Sequence, residues 1–263
     1  MRLLVFNAQH ASPGRARRQA EWIAAQERAD ALVISEVGSG PGGAALIGAL
    51  TDGGYPSVLA PGPSFAGYGT VLASRAAALT AVPSGIGVLP DRGLAAAFTL
   101  AGQRIALLGL YVPSRGPKER RNEDKRAFQR AVTMALPSFL ARFGGPVIVA
   151  GDLNVVEPGH IPHHAVFGDW EYGFYRSFAD AGLTDAYRAL HPDAAGHSWF
   201  GRSGQGCRFD HAFVTTRHDG LIRSCRYLQE PRELGLTDHA AMAVSLGPIH
   251  PTNSAHQSNA RDT

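Results

Sequence analysis

The chain has 263 residues with 25 basic and 22 acidic side chains, a formal net charge of +3 and a pI near 9.1. With 44% hydrophobic and 18% charged residues it is globular, which excludes global disorder. Two cysteines, Cys207 and Cys225, exclude a disulfide scaffold and point to a reducing compartment, with each thiol buried or idle. The mild positive charge permits a nucleic-acid partner without requiring one.

Leu3 to Phe6 is a short apolar run; the first six residues are mostly apolar and lead straight into Asn7, Gln9 and His10, with Arg15, Arg17 and Arg18 coming only after them, so this reads as a strand and not as a signal peptide. Ala16, Ala20, Ile23 and Ala24 have helical spacing, and Ala31 to Ser35 is a second buried strand. A helix from Pro41 to Leu50 closes at Asp52-Gly53-Gly54. Strands follow near 55–59, 69–75, 94–100 and 104–111, separated by Gly and Pro turns. The apolar region from Gly93 to Val112 is split by Gln103 and Arg104, which makes it two strands and not a membrane span.

Residues 119–140 give the clearest helix, with Phe128, Val132, Leu136 and Phe139 on one stripe. Pro137 is expected to kink or end it early. Val147 to Ala150 is another buried strand, 171–181 a helix, and 207–214, 221–228 and 240–246 strands. Mixed strands and helices with no splitting linker predict one α/β (α+β) layered domain over 1–248. The tail, 249–263, lacks apolar periodicity and is expected to be disordered.

Polar residues stand just beyond the apolar strands. Asn7 follows the first strand and Glu36 the second. Asp152 and Asn154 follow the 147–150 strand. Asp210 and His211 sit in a strand-like run, and Asp238 and His239 precede the last strand. Any one such acid reads as a cap or turn residue. Five positions at strand ends read instead as a site aimed into a cleft. Hard oxygen donors, Glu36, Asp238 and the amide of Asn7, suit Mg²⁺ or Mn²⁺ and metal-assisted phosphate-ester hydrolysis. There is no CxxC or HExxH element for zinc and no GxSxG elbow for a serine nucleophile. His160, His163 and His164 read as a polar surface loop near the cleft mouth.

Phe6-Asn7, Ser35-Glu36, Tyr111-Val112-Pro113, Gly151-Asp152-Leu153-Asn154, Ser198-Trp199-Phe200, Arg208-Phe209-Asp210-His211 and Thr237-Asp238-His239 fall in an order that resembles the endonuclease/exonuclease/phosphatase superfamily. Within it the chain is most similar to the exonuclease III and abasic-site endonuclease branch. The resemblance implies a four-layered α/β sandwich, two mixed sheets packed face to face with helices outside. It implies a metal held by Glu36 with Asn7 and Asp238. Asp152 would activate the attacking water and Asn154 orient it. His239 would contact the phosphate with its tautomer fixed by Asp210, and Tyr111 would contact the phosphate too. The expected substrate is duplex DNA, acted on by a cytoplasmic monomer.

Gln9, Ser114 and Cys207 depart from that branch, so a phosphatase or phosphodiesterase for small-molecule, lipid or RNA esters stays open. The basic run at 115–130 reads either as a solvated helix face or as a phosphate-backbone grip. Arg115, Lys118, Arg120 and Arg121 are then the expected contacts. Trp199 and Phe200 read either as stacking platforms or as core.

Overall fold

The computed structural model describes residues 1–26, 29–62, 64–115 and 119–248, and of 119–121 the backbone alone. Lys118 and the 249–263 tail lie outside the described residues. In chain order the elements are β1 (Arg2–Asn7), α1 (Pro13–Ala25), β2 (Ala31–Gly38), α2 (Pro41–Asp52), β3 (Ser57–Leu59), β4 (Tyr68–Ser74) and β5 (Thr80–Ala81). Then come β6 (Gly93–Leu100), β7 (Gln103–Tyr111), α3 (Glu119–Ala141), β8 (Val147–Asp152), α4 (Asp169–Asp180), β9 (Leu183–Asp185) and α5 (Ala186–Leu190). The last are β10 (Trp199–Phe200), β11 (Gly206–Cys207), β12 (Asp210–Thr215), β13 (Ile222–Leu228), α6 (Glu230–Glu233) and β14 (Ala241–Leu246).

Two six-stranded sheets result, ordered β13-β14-β1-β2-β4-β3 and β5-β6-β7-β8-β12-β9. Both are mixed: β1 runs parallel to β2 and β7 parallel to β8, and the remaining ladders are antiparallel. Strand alternation sorts the apolar side chains. Leu3, Val5 and Val33 face Leu107, Ile148 and Ala150 of the other sheet. Leu4, Phe6 and Ile34 face outward onto Ala20, Ile23 and Leu46 of α1 and α2. Leu108, Leu110 and Val149 take the opposite outer face, under Phe128, Val132 and Phe139 of α3 and Phe178 of α4. This is the expected four-layered sandwich.

Pro137 does not end the helix: α3 runs through it to Ala141. An interior proline costs about 3 kcal/mol. Phe128, Val132, Leu136 and Phe139 are each almost fully buried along the same helix. At about 1.5–3 kcal/mol apiece, their burial outweighs the proline.

The register decides where the site lies. Asn7, the last residue of β1, pairs with Ser35 of β2, and Tyr111 pairs with Asp152 at the ends of β7 and β8. Asp210 opens the antiparallel β12 opposite Asp152. These pairings set Tyr111, Asp152 and Asp210 side by side at strand ends of the second sheet and Asn7 at a strand end of the first.

Candidate active site

Asp152 is the centre of this end. It is 1% exposed, yet three donors reach its carboxylate. Asn154 N–H meets Oδ1 at 2.8 Å. The side-chain amides of Asn154 and Asn7 meet Oδ2 at 2.9 and 3.0 Å. The Asn7 bond crosses from the first sheet to the second, as does the bond from Asp152 N–H to Ser35 Oγ. Burial, followed by the nearby Asp210 carboxylate and helped by Glu36, pushes the Asp152 carboxyl up to about 8. A carboxylate so raised is poised as a base near neutral pH.

Gly151 makes the approach of β8 to β7 possible. Its φ is +141°, and a Cβ there would lie 1.9 Å from Leu110 O. Beyond it, Asn154 takes a left-handed backbone (φ 49°), and Glu36, Gln9 and His10 do likewise. Of six described non-glycine residues with positive φ, these four belong to the site. Such strain concentrates where a fold must aim side chains.

Asp210 Oδ2 lies 2.7 Å from His239 Nδ1, both buried. Burial alone would lower the imidazole pKa, but the Asp210 charge and hydrogen bond outweigh it and raise it to about 10. His239 is thus held as imidazolium, and its Nε2, 4.0 Å from Asp238 Oδ1, is the nitrogen left to face a ligand. Ser198 positions this pair. Its Oγ accepts from Phe209 and Asp210 N–H at 3.0 and 3.1 Å, and its carbonyl accepts from Ala240 N–H. Tyr227 closes the other side by donating to Asp210 O.

Glu36 sits where β2 breaks register with β4. Its side chain is 19% exposed, and Oε1 lies 3.2 Å from His10 Nδ1. Asn7 Oδ1 accepts from Gln9 N–H. Gln9 itself is turned away: its Oε1 accepts from Arg15 Nη1 at 3.0 Å. Asp238 is 44% exposed and accepts from Trp199 Nε1 at 3.0 Å, with its Oδ1 4.0 Å from His239 Nε2. Among the described residues no three His, Cys, Asp or Glu side chains form a metal-holding group by themselves. That donor set still fits Mg²⁺ or Mn²⁺, which are bound through one or two carboxylates and keep several waters. Glu36 adds a further negative charge beside the buried Asp152, which a divalent cation would offset.

Tyr111 is buried under the Arg92 guanidinium, 4.3 Å above its ring. Burial, then the Glu36 charge, raises its phenol well above the usual range, so it stays a neutral donor. Trp199 stacks on Phe209 at 5.5 Å. Phe200 lies under Arg232 at 4.3 Å, and both aromatics are half-buried.

The basic run is not a uniformly solvated face. Arg115 pairs with Glu171 at 2.9 Å, and Lys125 is fully buried with Glu171 at 2.5 Å. Arg126 lies over Trp170. The histidine loop is not simply polar surface either. His160 is buried, and its Nε2, like that of His164, bonds Gly206 O. That ties the loop to β11. Cys207 is buried beside His164, its thiol pushed up to about 11 by burial. Both cysteines are free.

Sequence reasoning missed the charged residues behind the site. Arg208 is fully buried and binds both Glu157 and Asp185. Burial alone would raise the Glu157 carboxyl. Hydrogen bonds from Arg188 and His160 and the charge of Arg208 instead hold it well below the usual range. Lys125 and Glu171 form a second such group. Arg208 stands inside a site motif and Lys125 inside the basic run, and neither position foretells burial.

Residues 4–239 match the Endonuclease/Exonuclease/phosphatase family, and the chain belongs to it. An exodeoxyribonuclease of Bacillus subtilis (strain 168) is 29% identical over 145 residues, which span 51% of this chain and 56% of that protein. The chain therefore aligns with little more than half the length of that relative. Among solved structures, the fold is similar to that of a 3′ phosphatase, NExo, from Neisseria bound to a product DNA hairpin. The TM-score is 0.77 at 22% identity, covering 94% of this chain and 100% of that one. It is also similar to an AP endonuclease from Archaeoglobus fulgidus, with a TM-score of 0.75 at 20% identity, covering 94% and 99%. At these identities the structural likeness shows the fold.

Proposed function

We infer that this protein is a divalent-metal-dependent phosphodiester hydrolase acting on DNA, of the exonuclease III or abasic-site endonuclease type. The observation that carries this reading is the Asp152 carboxylate, held by three donors and raised toward neutrality, beside an imidazolium fixed by Asp210. One group is suited to take a proton from water, the other to face a phosphate oxygen. The family and the DNA-related names of its relatives support the choice of substrate.

In this reading Asp152 accepts the proton of the attacking water while Asn154, donating to Asp152 Oδ2, keeps the carboxylate oriented. His239 Nε2 donates to a phosphate oxygen and offsets charge as it builds in the transition state. Tyr111 adds a neutral donor. Glu36, Asn7 and Asp238 would hold Mg²⁺ or Mn²⁺, which when bound supplies positive charge to the phosphate. Trp199 and Phe200 line the wall beside His239 for a sugar or base, and Arg115, Lys118, Arg120 and Arg121 are the basic contacts. Among the described residues no helix is long and apolar enough to cross a membrane. A cytoplasmic monomer is part of the same proposal.

One observation favours a compact phosphate ester as the substrate instead. Arg115 and Lys125 spend their charge on Glu171. Cleavage of a labelled duplex with and without an abasic site, with Mg²⁺ or EDTA, tests both readings. Mg²⁺-dependent cleavage is expected. No cleavage, with turnover of small phosphate esters, would move the assignment to the second.

A further inference from the structure

Asn154 holds a left-handed backbone, which asparagine tolerates better than most non-glycine residues, while its side chain serves Asp152, and it is supported in that position on two sides. Part of the support is local: Asn154 Nδ2 also donates to Val112 O at 3.0 Å. The other part comes from outside the loop. Lys125 Nζ, from α3, donates to Asn154 O at 2.8 Å. The same ammonium meets Glu171 Oε1 of α4 at 2.5 Å, and both side chains are wholly buried. Glu171 Oε2 in turn accepts from Arg115 Nη1 and Gly168 N–H. The rings of Phe167 and Trp170 each lie 5.6 Å from Lys125 Nζ and wall the ammonium off.

This is an expensive arrangement for stability alone. Replacing a buried ion pair by apolar groups of like volume is often neutral or stabilising. What an apolar pair cannot supply is a donor aimed at the carbonyl of the residue after next from Asp152. We propose that Lys125, oriented by Glu171, is a positioning residue that fixes the Asn154 backbone and so the donor geometry around Asp152. It acts through Asn154 and does not touch substrate. The proposal rests on the phosphodiesterase reading above.

The test is Lys125→Met/Glu171→Leu, which removes both charges together and leaves Arg115, part-exposed, to solvent. Three quantities are read: kcat on the Mg²⁺ duplex, DNA Kd in EDTA, and the backbone and side-chain amide resonances of Asn154. The expected result is a folded protein with kcat lowered about 10- to 100-fold, since displacement of a catalytic group by an ångström can cost about 10². Kd should stay within about threefold, and the Asn154 resonances should shift or broaden. A merely structural pair would lower the melting temperature without that split.

A folded double variant with wild-type kcat overturns the proposal, as does a loss confined to Kd. If the double variant does not fold, Lys125→Met/Glu171→Gln serves, because the neutral amide keeps an acceptor for Arg115 and Gly168 N–H while both charges are still removed; the same split is expected and the same results overturn it. If wild type cleaves no phosphodiester, the functional reading has failed, and the Asn154 resonances still decide the tether. Unchanged resonances reject it.

Discussion

The two sheets end in different surroundings. On the first, Glu36 is part-exposed, its carboxylate set against His10, whose ring is itself exposed over Tyr68. On the second, Asp152 and Asp210 are each 1% exposed and held by donors from several strands and loops. Behind the second stand Lys125–Glu171 and Arg208–Glu157–Asp185; behind the first stand the neutral faces of α1 and α2. The open end suits a cation that keeps its water and a ligand that must arrive and leave. The sealed end suits proton transfer, where a low dielectric strengthens each charge and fixed partners remove the need to reorganise. Each half can be broken separately, and the expected losses differ in kind.

The largest effect should come from the sealed half, and on stability. Arg208→Met leaves Glu157 and Asp185 without their buried cation, and breaking a buried pair costs about 3–5 kcal/mol. The sign with pH follows from the two acids. Asp185 would be raised by burial, yet Arg208 and His211 hold it far below the usual range, as Glu157 is held. Groups so lowered contribute stability above their unfolded pKa, near 4, and that contribution is lost as pH falls through the folded value. Urea unfolding of wild type should therefore weaken steadily below about pH 4. In Arg208→Met the acid-linked slope should flatten, and an unchanged slope would show that Arg208 is not what lowers the two acids.

Next comes the chemical step. Asp152→Asn keeps the shape but removes the proposed base, and in that reading kcat should fall by about 10² or more with DNA affinity in EDTA nearly unchanged. Equal turnover in the purified variant removes Asp152 from the mechanism. In the open half the loss should take another form. Glu36→Gln removes an anionic oxygen from the proposed hard-cation site, so the Mg²⁺ concentration for half-maximal rate should rise about tenfold while kcat at saturating metal recovers. An unchanged metal requirement would leave Glu36 a strand-end polar residue and dissolve the contrast between the halves.

The open half was the more legible in sequence. Apolar runs that stop at Asn7 and Glu36 declare strand ends, and the parallel pairing of β1 with β2 puts the two stops side by side. Asp152 was legible for the same reason, and its pairing with Asp210 followed only once β8 and β12 were seen adjacent. The supports of the sealed half were not. Lys125 and Glu171 are 46 residues apart, and Arg208 and Glu157 are 51 apart. Charged residues in a polar stretch look the same whether solvated or buried, because burial is decided by the elements that close over them. Lys125 disappeared into a run of arginines for that reason. His160 looked like loop surface because its partner, the Gly206 carbonyl, leaves no mark in a side-chain pattern. Pro137 misled in the opposite sense, a strong local signal overruled by the packing of α3.

The smallest effect concerns the start of α3. Arg120 and Arg121 lie in its first turn, near the helix N-terminus that favours anions, and in the present reading they meet the DNA backbone. Arg126, one turn further along, is instead stacked over Trp170 and serves as the comparison. Each neutralised phosphate contributes about 0.9 to the slope of log K against log salt. Replacing Arg120 and Arg121 with Ala should flatten that slope by about one to two units and weaken binding evenly across sequences, with kcat at saturating DNA little changed. Arg126→Ala should leave the slope where it is. The measurement is duplex affinity in EDTA at several salt concentrations, for wild type and both variants. A double variant with the wild-type slope would mean that DNA does not run past α3. The open half would then have to hold its substrate through the phosphate alone, which is what a compact phosphate ester requires.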